Sequence, residues 1–161
     1  MKILAIDPGK KGGVCLYSAE GVEVLPLPYT DSSVDVVTLN DIFDSYYPSC
    51  VVIERQVMYK GQGAKSSATT MTNYGQLLAI AKLYCACYEG LWSAKLITPS
   101  PKDWQSKMIP NAKRGETKEA SVSYVTTYYP EVSLLRTPRS KVPCDGLADA
   151  VCIAEWAHSY T

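Results

Sequence analysis

A chain of 161 residues, 47% hydrophobic and 20% charged, has enough material for one core and too little for two catalytic domains, so residues 1–161 are expected to form a single domain. Sixteen basic and sixteen acidic residues cancel. No apolar run approaches the roughly 18 residues of a membrane span, and no basic stretch leads into an apolar one at the start, which predicts a soluble protein of the cytoplasm. The six cysteines lack CxxC pairs and read as reduced core thiols, while His158 is the only histidine, so His-ligated zinc sites and histidine triads have little to build on.

In chain order, the apolar run Lys2 to Asp7 predicts a first strand, followed by strands over Gly13 to Ser18 and Val22 to Leu27 around an Ala19-Glu20-Gly21 turn. These three form an antiparallel meander. Pro26 and Pro28 end it, and apolar residues at Val34, Val37, Ile42 and Tyr46 predict a helix within Ser33 to Tyr47 that crosses to a fourth strand, Ser49 to Glu54, beside the first. Residues 55 to 70 carry Gly61, Gly63, Ser66 and Ser67 without periodicity, which predicts a loop. Thr72 to Gly90 then reads as a long helix capped by Gly90. One seam of this helix (Met71, Tyr74, Leu78, Ala81, Cys85) and a second set around Leu77, Ile80 and Leu83 make it apolar on more than one face. A second apolar stripe predicts a homodimer interface, with burial inside one chain as the alternative. Ala94 to Thr98 is the fifth strand, Pro99 to Trp104 begins a helical turn, Lys107 to Arg114 is a basic loop, Gly115 to Tyr129 is helical, and a Pro- and Arg-containing loop leads to a last helix from Asp145.

Charge is unevenly spread along this order. Gly12 to Glu54 holds seven acids and no base, whereas Arg55 to Lys141 holds thirteen bases against five acids, so a polyanion would be drawn to one part of the molecule. Four acids stand out. Asp7 and Glu54 end apolar strands, where a carboxylate costs several kcal/mol unless paired or metal-bound, and Asp145 and Asp149 share one helix face, where like charges repel unless a cation joins them. Together they suggest a metal-dependent nuclease, and oxygen donors without His or Cys suit Mg2+ or Mn2+. Asp145 also has a purely structural reading as a helix N-cap.

The stretches Ile6-Asp7-Pro8-Gly9, Val52-Ile53-Glu54-Arg55-Gln56, Asn73-Tyr74-Gly75-Gln76-Leu77, Lys118 and Asp145-Gly146-Leu147-Ala148-Asp149-Ala150 span nearly the whole chain. In this order the chain resembles the RuvC family of Holliday junction resolvases, particularly its small phage-type members. The resemblance implies an α/β, ribonuclease H-like mixed five-stranded sheet flanked by helices, with strands one to three antiparallel and strands four and five parallel to the first. It implies Asp7, Glu54, Asp145 and Asp149 as ligands of two Mg2+ ions, with Mn2+ able to substitute, and Lys118 near the scissile phosphate. It further implies a homodimer, through the Thr72–Gly90 helix, that cuts branched DNA in a bacterial or phage-infected cell. The spacing of four between Asp145 and Asp149 departs from the three usual in bacterial members. Tyr59, Lys60 and Lys65 in the loop after Glu54, with Lys113 and Arg114, are candidate DNA contacts. Two other readings stay open: a ribonuclease H-like nuclease acting on RNA–DNA hybrid, and a module that binds branched DNA without cutting it. An actin-like nucleotide binder, suggested by the glycines after Asp7, would need two such domains.

Overall fold

The computed structural model describes residues 1–31, 33–57, 63–87, 94–113 and 115–160, with the side chains of 64 and 65 left out. The chain runs through β1 (Ile3–Ile6), β2 (Gly13–Ser18), β3 (Gly21–Pro26), β4 (Tyr29–Thr30), β5 (Ser33–Val34), α1 (Val36–Tyr46), β6 (Cys50–Ile53), α2 (Ala64–Cys87), β7 (Lys95–Ile97), α3 (Pro101–Met108), α4 (Thr117–Tyr128) and α5 (Asp145–His158). Five strands make one sheet in the order β3-β2-β1-β6-β7. The first three are antiparallel neighbours, and β6 and β7 run parallel to β1 with Ile3 opposite Cys50 and Ile6 opposite Ile53.

The central strands Ile-Leu-Ala-Ile and Cys-Val-Val-Ile are buried on both faces, as a strand covered by helices on both sides must be. Their alternation divides the core. Ile3, Ala5, Cys15 and Val52 pack with Trp104, Val125 and the apolar residues of α5. Leu4, Ile6, Val14, Val51 and Ile53 face Leu39 and Phe43 of α1 and Tyr74, Leu77, Ala81 and Tyr84 of α2. At roughly 25 cal/mol for each Å² of apolar surface removed from water, these two layers dominate stability. The helix α5 is apolar almost all round, with ten buried residues, because it lies between the sheet and the pair α3 and α4.

Four boundaries differ from the sequence reading. Ser33 and Val34 belong to a two-strand hairpin with β4, turned at Asp31 with a positive φ of 52°, and α1 starts after Asp35, whose carboxylate accepts from the Thr38 N–H. Two-residue strands are too short to leave a period in the sequence. The helix expected from Thr72 begins at Ala64, so part of the expected 55–70 loop is helical, while residues 88–90, including the expected Gly90 cap, lie outside the described residues. The turn after Pro99 is a full helix, and Lys107 falls inside it. Along α2 neither expected seam is wholly core or wholly free: Tyr74 and Ala81 of the first and Leu77 of the second enter the core with Leu78 and Ile80 packed against it, while Met71 of the first is exposed and Leu83 of the second is 65% exposed. Among the described residues no helix is long and apolar enough to cross a membrane.

Candidate active site

The parallel pairing of β1 with β6 sets two acids side by side. Asp7 leaves β1 with its N–H on the Gly13 carbonyl (3.1 Å), and Glu54 leaves β6 with its N–H on the Ile6 carbonyl (3.1 Å). The turn Pro8–Gly12 folds back on Asp7, whose Oδ1 accepts from the Gly9 N–H at 3.3 Å. The start of α5 presses against this turn: a Cβ on Gly146 would stand 2.8 Å from Asp7 Oδ2 and collide with the Lys11 carbonyl. Asp145 and Asp149 thereby share one charged region with Asp7, and each raises the proton affinity of the Asp7 carboxyl.

The electrostatics follow from that crowding. Burial first, then the charges of Asp149 and Glu54, push the Asp7 carboxyl well above its ordinary range, against a downward pull from Gly9 N–H. Burial raises Asp149 to about 7, with Glu54 and Asp145 adding to the rise and Ser121 and Lys118 opposing it. Burial also raises Glu54, opposed by a hydrogen bond from Trp104. Asp145 differs: burial pushes it up, but the ammonium of Lys118, 2.7 Å from its Oδ2, wins and holds it below the usual value.

These shifts give a stability that depends on pH in a defined direction. In chelator the folded chain keeps a proton on Asp149 up to about pH 7, whereas the unfolded chain releases it near pH 4. Between about pH 4 and 7 the unfolded state therefore binds fewer protons, and stability falls as pH rises. Calorimetry in EDTA is expected to give a higher melting temperature at pH 5 than at pH 8. Asp149→Asn should shrink the difference, leaving the part due to Asp7.

The expected site residues fare differently. Asp7, Glu54, Asp145 and Asp149 are brought to one region, and Lys118 joins them through Asp145. The N-cap reading of Asp145 is overturned: Cys144 is the N-cap, Asp145 is the first helical residue, and its carboxylate goes to Lys118. Lys113 is exposed in the segment between α3 and α4. Tyr59, Lys60 and Arg114 lie outside the described residues, and Lys65 is described only as backbone of α2.

No protein-family model matches the sequence, and no curated protein matches it at a significant level. The likeness lies in the fold. RuvC of Thermus thermophilus in complex with a Holliday junction substrate superposes with a TM-score of 0.64 at 14% identity, over 99% of this chain and 94% of that one. The Fowlpox virus resolvase in complex with Holliday junction DNA gives 0.53 at 12% identity, with 100% of both chains covered. The yeast mitochondrial Holliday junction resolvase gives 0.51 at 15% identity, over 96% of this chain and 76% of that one. The fold is that of the RuvC-type resolvases.

Within this RuvC-type, ribonuclease H-like fold, several residues near the acids carry no clear signal in the sequence. Trp104 of α3 donates its indole N–H to Glu54 Oε1 at 2.8 Å. Fully buried Ser121 of α4 bonds Asp149, and the Lys11 charge reaches Asp145. Arg136, from the long loop before α5, donates to the Gly12 carbonyl at 3.1 Å and so braces the glycine turn beside Asp7. Only Trp104 had a hint, a large aromatic with a polar edge one turn into a Pro-started helix.

Proposed function

We propose that this chain is a structure-selective endonuclease that resolves four-way DNA junctions as a homodimer. The observation that carries the reading is an acid cluster without a structural balance: burial and mutual repulsion raise the proton affinity of Asp7 and Asp149, and Asp145 is the one member with an ion-pair partner among the described residues. A fold has no use for such a group by itself, since two apolar residues would be more stable there. Function is the usual reason.

The donor set suits Mg2+, being all carboxylate. Among the described residues no three acids stand as a ready-made coordinating group, and Mg2+ commonly takes one or two carboxylates with waters and substrate phosphate. Asp7, Glu54, Asp145 and Asp149 would hold two such ions, which supply an activated water and stabilise the leaving 3′ oxygen of an in-line displacement. The chain's residues do the rest. Asp7 and Asp149, whose proton affinities are raised by burial, would give up protons on binding cations, and Glu54 is held by the Trp104 N–H. Lys118, with 71% of its side chain exposed, can pass from Asp145 to a phosphate. Lys10 and Lys11, both exposed on the turn after Asp7, add positive charge at the same rim.

The substrate class is supported by the fold, which in two of the similar solved structures holds a Holliday junction. A four-way junction offers two equivalent strands, and a two-fold dimer matches that symmetry. The exposed face of α2, with Met71, Gly75, Ala79 and Leu83 one turn apart, supports an interface there.

The test uses labelled four-way junction, linear duplex and RNA–DNA hybrid. With Mg2+ or Mn2+ the protein is expected to cut two symmetric strands of the junction, to spare the other substrates, and to do nothing in chelator. Equal cutting of linear duplex, or cutting of hybrid by a monomer, would sink the proposal. Leu83→Glu, which places a charge on the exposed α2 face, is expected to sediment as a monomer and lose paired cutting.

A further inference from the structure

We propose that Trp104 is the positioning residue for Glu54: its indole N–H holds one carboxylate oxygen so that the other is offered to a cation. The inference rests on the metal site proposed above. The indole is a donor only, it is 1% exposed, and it meets Glu54 Oε1 at 2.8 Å. Among the described residues Oε2 has only a long contact of 3.5 Å from the Gln56 amide, at the limit of what counts as a hydrogen bond. One oxygen is therefore held firmly and, among the described residues, the other only weakly.

The frame around this pair is stiff at both ends. Arg55, next to Glu54, donates its N–H to the Pro99 carbonyl at 2.7 Å and its Nη2 to the Thr98 carbonyl at 3.1 Å. Ser100 then donates both its N–H (2.7 Å) and its hydroxyl (2.8 Å) to Asp103 Oδ2, which closes the first turn of α3 after Pro101. The strand end carrying Glu54 and the helix carrying Trp104 are thus stapled together across 50 residues of sequence. A simple core tryptophan needs none of this. Partners that orient a ligating carboxylate typically change metal affinity about 10- to 100-fold when removed.

The experiment measures Mn2+ binding to the whole protein without DNA, by the paramagnetic signal of free Mn2+. Trp104→Phe keeps most of the ring volume and is expected to bind Mn2+ at least about tenfold more weakly while retaining the wild-type circular dichroism; Glu54→Gln is expected to lose as much or more. Equal binding by wild type and Trp104→Phe, with Glu54→Gln impaired, overturns the role of Trp104 alone. A wild type that binds no Mn2+, or a Glu54→Gln that binds it normally, overturns the metal-site reading and this inference with it. Should Trp104→Phe fail to fold, the wild-type protein decides. Its three tryptophans give separate indole N–H resonances, assigned with Trp92→Phe and Trp156→Phe. The Trp104 resonance is expected to move on adding Mg2+, and an unmoved Trp104 resonance rejects the coupling.

Discussion

Asp7→Asn is expected to abolish junction cutting and, in chelator, to raise the melting temperature. Both effects come from the same geometry. The carboxylate is buried and lies in the field of Asp149, Glu54 and Asp145, so its ionised form is opposed by loss of solvation and by like charge. Asn has the same shape and keeps an oxygen for the Gly9 N–H at 3.3 Å, so the turn persists while the repulsion goes. Each kcal/mol relieved should add roughly 2–4 °C to the melting point of a chain this size. Cutting should fall by about three orders of magnitude, equivalent to ~4 kcal/mol of barrier, because the amide is a far poorer cation ligand at the centre of the site. Stability and activity measured on the same preparation separate this from simple unfolding. An Asp7→Asn protein that cuts normally, or that melts lower in chelator, contradicts the assignment.

Gly146→Ala is expected to damage both fold and activity, although alanine is the better helix former. Taken alone, the exchange would favour α5 by ~0.5–1 kcal/mol. The site leaves no room for it: the new methyl would meet the Lys11 carbonyl, Asp7 Oδ2 at 2.8 Å and Gly12 Cα at 2.8 Å. Overpacking of this kind costs typically 1–3 kcal/mol, which exceeds the helical gain, and the atoms that must yield include the Asp7 carboxylate itself. The expected result is a melting point several degrees lower together with cutting reduced more than the stability loss accounts for. A variant as stable and as active as the parent would show that α5 does not press on Asp7.

The same contact explains which parts of the site were readable beforehand. Ile3–Ile6 and Cys50–Ile53 are visible in the sequence because strands buried on both faces are written as unbroken apolar runs, and an acid at the end of each run is conspicuous against them. The four-residue spacing of Asp145 and Asp149 is visible because helical periodicity is local. The β4 and β5 hairpin and the first turns of α2 were not visible, since two-residue strands and a Ser- and Thr-rich helix start leave no period. Apolar residues on more than one face of α2 are legible, but only the structure sorts Leu77 into the core and leaves Leu83 uncovered.

By itself, then, the sequence determined the five sheet strands, most of the helices and the identity of the four acids, because each depends on patterns a few residues long. The tertiary structure alone decided who answers whom. It gave Asp145 to Lys118 rather than to a helix cap, set Gly146 against Asp7, and brought Trp104 to Glu54. Those pairings join residues 27, 139 and 50 positions apart, and no local preference encodes them. They exist only once β1 and β6 lie parallel and α3, α4 and α5 pack on one face of the sheet.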